Sequence, residues 1–275
     1  MNERIIANYA KLKLSVIYLP IFLLISVIVF LYTQNALNAN AYAQVQKELF
    51  IFLNSKLSQL PGTQWNLTQL GDALIFFSFL SIFVVYASKI WEALITASII
   101  SLIFSCVLKK MFSVPRPAAV FDNDSFVIIG ETLTGHNSLP SGHSITVFTS
   151  LTVLLYSFMP KELKYKVLWC SFIIILGLIM ASSRVGVGAH YPLDVIVGSI
   201  IGYISGLIGI FISRKYPVCA WVGNKKYCPI FMVLFSVCCI LLINKLVSEN
   251  LVIYYLSLAS LITSLYFITN VQFKK

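Results

Sequence analysis

The sequence predicts an all-α integral membrane protein, and three observations carry that expectation. Of its 275 residues, 59% are hydrophobic and only 11% charged. The mean hydropathy is +0.88, where a soluble domain carries about 25% charge. Finally, apolar runs that approach the roughly 17 to 25 residues needed to cross a bilayer as a helix recur along the whole chain. About eight spans follow, at 15–31, 69–87, 91–108, 144–159, 167–183, 195–213, 229–244 and 251–269.

The first run has no small-residue cleavage site near it, and its leader carries Arg4, Lys11 and Lys13, so it reads as a retained span and not a removable signal. Basic residues beside spans are held on the cytoplasmic side. With the N-terminus inside, the inner segments hold Arg4, Lys11, Lys13, Lys89, Lys161, Lys164, Lys166, Arg214, Lys215, Lys225, Lys226, Lys274 and Lys275, which also puts the C-terminus in the cytoplasm. Lys47, Lys56, Lys109, Lys110, Arg116, Arg184 and Lys245 fall outside, where topology does not call for them. The net charge of +10 is thus mostly a topology signal. Without a basic stripe interleaved with aromatics, nucleic acid is excluded as a partner. The six cysteines fall in spans or on the inner side, so no structural disulfide is expected, and Cys219 and Cys228 lack the partners of a zinc site.

Three outer segments break the apolar pattern. In the first, 35–68, Val45, Leu49, Phe52, Leu53, Leu57 and Leu60 recur at helical spacing, which predicts a helix lying in the interface and ended by Pro61 and Gly62. The second, 109–142, is punctuated by Pro115, Pro117, Gly130, Gly135 and Pro140 and reads as irregular. The third is short, 183–193. The last two spans carry no charged residue and read as accessory helices, which divides the chain into 1–216, with a motif-bearing core at 69–213, and 217–275.

The chemically specific residues gather in the second and third outer segments. Lys109 and Arg116, followed by Pro117, supply a point charge and a planar fork suited to phosphate oxygens; alone they could equally be cations reaching out of a helix end. Pro140, Ser141, Gly142 and His143 precede an apolar helix whose free N–H groups would point at an anion, although Ser141 could be a simple N-cap. Ser183 and Arg184 precede His190 and Asp194, four apart, so that the carboxylate can hold one ring nitrogen and leave the other to attack; a buried structural pair would look the same. All three groups fall on one membrane side, which the charge count assigns independently of the motifs. His136, Asp122, Asp124 and Glu131 read as solvated loop residues, and Asp72 as an acid favoured at a helix N-terminus.

These residues, in this order and spacing, resemble the three signature motifs of the type 2 phosphatidic acid phosphatase superfamily, which also includes glucose-6-phosphatase and the vanadium haloperoxidases. The resemblance covers roughly 69–213 and implies a six-helix phosphatase core, to which the two C-terminal transmembrane helices are an addition. It implies that His190 is the nucleophile that becomes phosphohistidine, that Asp194 positions it, and that His143 is the general acid and then base. Lys109, Arg116, Ser141, Gly142 and Arg184 would bind the phosphate. No metal and no other cofactor is implied. The soluble haloperoxidase branch fits poorly with the spans. The expected substrate is a membrane lipid phosphate in the bilayer, such as undecaprenyl pyrophosphate, lipid A, phosphatidylglycerol phosphate or phosphatidic acid, hydrolysed on the periplasmic or extracytoplasmic face of a cell inner membrane. A lipid phosphotransferase using the same intermediate stays open, as does a lipid-binding or transport protein. A transporter would call for ionisable groups at the bilayer midplane or broken helices in two halves.

Overall fold

The computed structural model describes residues 1–216 and 218–273, the side chains of 271–273 apart. Pro217, where the sequence divides the chain, and the basic Lys274 and Lys275 lie outside the described residues. Among the described residues all regular structure is helical. The longer elements are α1 (Asn2–Ala10), α2 (Tyr18–Thr33), α3 (Ala39–Val45), α4 (Lys47–Leu57), α5 (Pro61–Gln69), α6 (Ala73–Leu80), α7 (Phe83–Tyr86), α8 (Ser88–Phe112), α9 (Pro117–Val120), α10 (Gly142–Ser157), α11 (Leu163–Gly186), α12 (Pro192–Lys215), α13 (Cys228–Ser248) and α14 (Val252–Phe273).

Among the described residues six segments are long and apolar enough to cross a membrane: Leu14–Thr33, Ser88–Val120, Leu163–Gly186, Pro192–Lys215, Lys225–Ser248 and Val252–Asn270. This is the makeup of a multi-pass membrane protein. The runs at 144–159 and 69–87 form shorter helices. α10 has 16 residues and stops short of Pro160. The other run breaks into α6 and α7; at the break the Ser81 hydroxyl donates to the Ser78 carbonyl at 2.7 Å and meets Ser264 at 2.6 Å, and α7 ends at Ala87, which leaves helical geometry at φ −150°. The interfacial helix expected over 35–68 is three helices. Pro61 does not end one but opens α5 at its first turn, where a missing N–H is harmless.

At the centre, α10 packs against α12, α8 and α11. A glycine stripe on α12 makes this possible. A Cβ on Gly198 would stand 2.7 Å from the Ser141 carbonyl oxygen, one on Gly202 2.5 Å from that of Ile145, and one on Gly206 2.6 Å from Thr152 Cβ. The two backbones therefore touch directly, as small residues allow between membrane helices. Further along, Gly209 meets Ala97 of α8 in the same way.

The two ends of the bundle differ. At one end α1 is folded in, with Ile5 fully buried, the Tyr9 and Ser157 hydroxyls 2.7 Å apart, and Arg214 donating to the Tyr9 and Leu12 carbonyls. At the other, the end of α8, the start of α10, the end of α11 and the start of α12 meet beneath the collar formed by α3, α4 and α5. Fully buried Asn54 of α4 stitches that collar down: its amide donates to the Val127 and Val185 carbonyls and accepts from Val127 N–H. α13 and α14 lie against α6 and α7, where Phe231, Phe235 and Leu261 join a core with Ile75 and Trp91. All six cysteines are free.

Candidate active site

Four helix ends and two loops bring the sequence-predicted residues together. α12 begins with Tyr191 as its N-cap and Pro192 at its first position, which places Asp194 in its first turn. The Asp194 carboxylate is fully buried and accepts from four donors. Tyr42 Oη reaches Oδ1 at 2.8 Å. Ser138 Oγ and Tyr191 N–H reach Oδ2 at 2.5 and 2.9 Å. His190 Nδ1 lies 3.3 Å from the same oxygen. A carboxylate so surrounded is fixed in direction and holds His190 with Nδ1 as the protonated nitrogen, so that the lone pair is on Nε2. His190 Nε2 faces Arg116, whose Nη1 is 3.5 Å away.

Arg116 is held from three sides. Its Nε donates to Asn137 Oδ1 at 2.8 Å, its Nη1 to the Ala189 carbonyl at 3.2 Å, and its backbone N–H to the Gly135 carbonyl. Arg184, at the end of α11, donates through Nη1 to Thr68 Oγ1 at 2.6 Å, while its buried Nε has no partner. The Lys109 ammonium stands beside the start of α10, 3.5 Å from where a Gly142 Cβ would be. Ser183 plays no part here, since its hydroxyl returns to the Met180 carbonyl of its own helix.

Ser141 is the N-cap of α10: its oxygen accepts from Ser144 N–H at 3.4 Å and Ser144 Oγ at 3.0 Å. This is compatible with a phosphate role, because capping uses the oxygen and a phosphate would use the hydroxyl hydrogen. The Ser141 N–H donates to the Asp194 carbonyl at 3.0 Å, which ties the second and third motifs through the backbone. His143 follows in the first turn of α10 and lines a cavity of about 430 Å³ with Gly71, Asp72, Phe77, Ser98 and Ser105. Gly71 is packed hard on it, for a Cβ there would lie 2.6 Å from His143 Cβ. An apolar groove sharing Phe77, Ser98 and Leu102 with that cavity continues past Trp91, Leu94 and Ile99.

His190 lies ahead of the span formed by α12 and is kept neutral, first by burial and then by Arg116, Arg184 and Lys109. Three cations thus surround the two histidines, with Asp194 as the buried acid among them. A site with this surplus of positive charge and an unpartnered guanidinium N–H is built to receive an anion. Among the described residues no three His, Cys, Asp or Glu side chains gather as metal ligands would.

Sequence reasoning did not single out Tyr42, Thr68, Gly71, Asn137 or Ser138. Each acts on a motif residue by tertiary contact. The solvated loop reading of Asp122 holds locally, its carboxylate accepting from Asp124 N–H, and Asp72 caps α6 as an N-terminal acid should, accepting from Leu74 N–H.

The clustered motifs sit in a multi-pass membrane fold, and the chain matches the PAP2 superfamily model over residues 90–216. It is 27% identical to the undecaprenyl-diphosphatase of Sulfolobus acidocaldarius over 175 residues, 62% of this chain and 80% of that protein. It is 35% identical to the lipid A 1-phosphatase of Rhizobium etli over 155 residues, 52% of this chain and 62% of that protein. Among solved structures, LpxE of Aquifex aeolicus matches with a TM-score of 0.52 at 26% identity, covering 62% of this chain and 96% of that one.

Proposed function

We propose that this protein is a lipid phosphatase that hydrolyses a phosphomonoester or diphosphate of a membrane lipid through a phosphohistidine on His190, without a metal. The observation that carries this reading is the His190–Asp194 pair at 3.3 Å, set among Arg116, Arg184 and Lys109. The named activities of the relatives, which act on lipid phosphates, support the class. The apolar groove running from the His143 cavity supports a lipid leaving group.

In the proposed reaction the phosphate sits among Lys109, Arg116, Arg184, the Ser141 hydroxyl and the Gly142 N–H, whose charges match the oxygens of a phosphoryl group in transfer. The His190 Nε2–P bond forms as the bond from phosphorus to the lipid oxygen breaks. The electron pair stays on that oxygen, which takes a proton from His143. Arrival of the phosphate dianion offsets the three cations, and this allows His143 to carry that proton. Water then attacks phosphorus, His143 takes its proton, and the Nε2–P bond breaks to restore His190.

The whole chain is proposed to cross the membrane about eight times, counting the shorter α10 and the α6–α7 pair, with 217–275 as an accessory unit. The end of the bundle that holds α1 carries Arg4, Lys11, Lys13, Lys89 and Arg214, and by the positive-inside rule it is cytoplasmic. The site then faces the periplasm or extracytoplasmic space of an inner membrane.

The experiment is phosphate release by purified protein in detergent with EDTA, across undecaprenyl pyrophosphate, lipid A, phosphatidylglycerol phosphate and phosphatidic acid, beside His190→Ala and His143→Ala. Release that survives EDTA and is lost in His190→Ala is expected. Release abolished by EDTA would overturn the metal-free scheme. Transfer of phosphate to a second lipid in place of release would make the protein a phosphotransferase.

A further inference from the structure

The wall of the His143 cavity contains one acid, Asp72, among its lining residues. Its Oδ1 is committed to capping α6, accepting from Leu74 N–H at 2.8 Å. Its Oδ2 meets Lys245 Nζ at 3.2 Å, the two side chains being 30% and 38% exposed. Lys245 belongs to α13, outside residues 90–216. It is also one of the basic residues that topology does not explain on the outer side.

Its position is held. The ammonium lies 5.8 Å from the Tyr254 ring centroid. The Tyr254 hydroxyl donates to Glu249 at 3.3 Å, and Glu249 accepts from Trp65 Nε1 at 3.1 Å. The Trp65 ring in turn packs beneath Gly130 of the outer loop, where a Cβ would come within 2.3 Å of it. The C-terminal helices are therefore latched to the rim of the site.

We propose that Lys245 is a specificity-determining residue: by neutralising Asp72 it lets the His143 cavity take a leaving group that is itself anionic, a lipid phosphate departing from a lipid diphosphate. This rests on the phosphatase reading and on His143 standing on the leaving-group side. When a phosphomonoester is cleaved, the P–O bond breaks, the lipid oxygen takes the His143 proton, and a neutral alcohol remains in the cavity. When a diphosphate is cleaved, the terminal phosphoryl passes to His190, the bridging P–O bond breaks, and the electron pair stays on the bridging oxygen. The departing lipid phosphate keeps negative charge in the cavity even after taking the proton. An unneutralised Asp72 would repel it while leaving the alcohol almost unaffected.

The test compares kcat/KM on a lipid diphosphate and on the monophosphate of the same lipid, for full-length wild type, Lys245→Gln, Asp72→Asn and the double variant, each checked for folding by thermal unfolding in detergent. Asn retains the helix cap. Lys245→Gln is expected to lower the diphosphate-to-monophosphate ratio about five-fold, the size of one like-charge contact near water. The double variant should recover the wild-type ratio within about two-fold, because independent losses would add while a cancelled charge restores. A ratio unmoved in folded Lys245→Gln, or a double variant no better than Lys245→Gln, overturns the proposal while the phosphatase reading stands. A wild type inactive on both lipids overturns the phosphatase reading itself.

Discussion

Replacing Gly71 with Ala tests whether His143 does its work by position. The added Cβ would stand 2.6 Å from His143 Cβ and 2.8 Å from its Cδ2. Ordinary contact begins near 3.4 Å, so something must move by about 0.8 Å, and the obstructing atom is next to the backbone, not the tip of a flexible chain. The imidazole or the first turn of α10 has to give. A displacement of about 1 Å at a catalytic group lowers rate on the order of 100-fold. The loss should fall on substrates whose leaving group needs a proton. An activated aryl phosphate, whose leaving group departs as a stable anion, should be spared by comparison. Gly62 gives the control, since nothing lies within 4 Å of its Cβ position and Gly62→Ala should leave rates unchanged. The measurement is steady-state phosphate release on an alkyl and an aryl phosphate, with thermal unfolding alongside. A Gly71→Ala protein that turns over the alkyl substrate at the wild-type rate would refute the assignment of His143 as a positioned acid, as would equal losses on both substrates.

Three further outcomes follow from the geometry. Tyr42→Phe removes one donor from the buried Asp194 carboxylate without changing the packed ring, and should lower stability by about 1.5 to 3 kcal/mol, read as unfolding in detergent. Because burial, then Arg116, Arg184 and Lys109, hold His190 below its ordinary 6.5, the neutral nucleophile persists into mild acid. The acid limb of kcat/KM should lie below that value, and Arg116→Gln should move it to higher pH as well as weakening binding. The same depression means that His190 supports stability fully above pH 6.5 and that this support declines as pH falls below it, since the unfolded chain binds a proton that the native chain refuses. Gly202→Ala sets a methyl against the Ile145 carbonyl at 2.5 Å; an overpacking loss of about 1 to 3 kcal/mol is expected from the same unfolding measurement.

The helical membrane class and the motif residues were legible because their signals are local. Apolar length marks a span. His190 and Asp194 are four apart on one helix start, and Ser141 and His143 flank another, so spacing alone brings each pair together. The partners of those residues were not legible. Tyr42 lies 152 residues from Asp194 in sequence, and nothing in an amphipathic segment distinguishes a tyrosine that anchors a carboxylate from one that faces lipid. Ser138 sits two residues ahead of Pro140 and looked like ordinary loop. Pro61 was ambiguous in another way, since proline both follows helices and opens them, and only the path of the chain decides. At the split of 69–87 Ser81 meets Ser264, a contact across the bundle that no window of hydropathy can contain.

The glycine stripe of α12 has a consequence for how such a protein can change over generations. Where α10 and α12 meet, backbone rests on backbone, and the Ser141-to-Asp194 link fastens the ends. His143 and His190 are thus placed by main-chain geometry and share one frame. Mutations on the lipid-facing flanks or on the C-terminal pair do not pass through that frame. Substrate preference can drift at the periphery while the distance between acid and nucleophile is inherited unchanged.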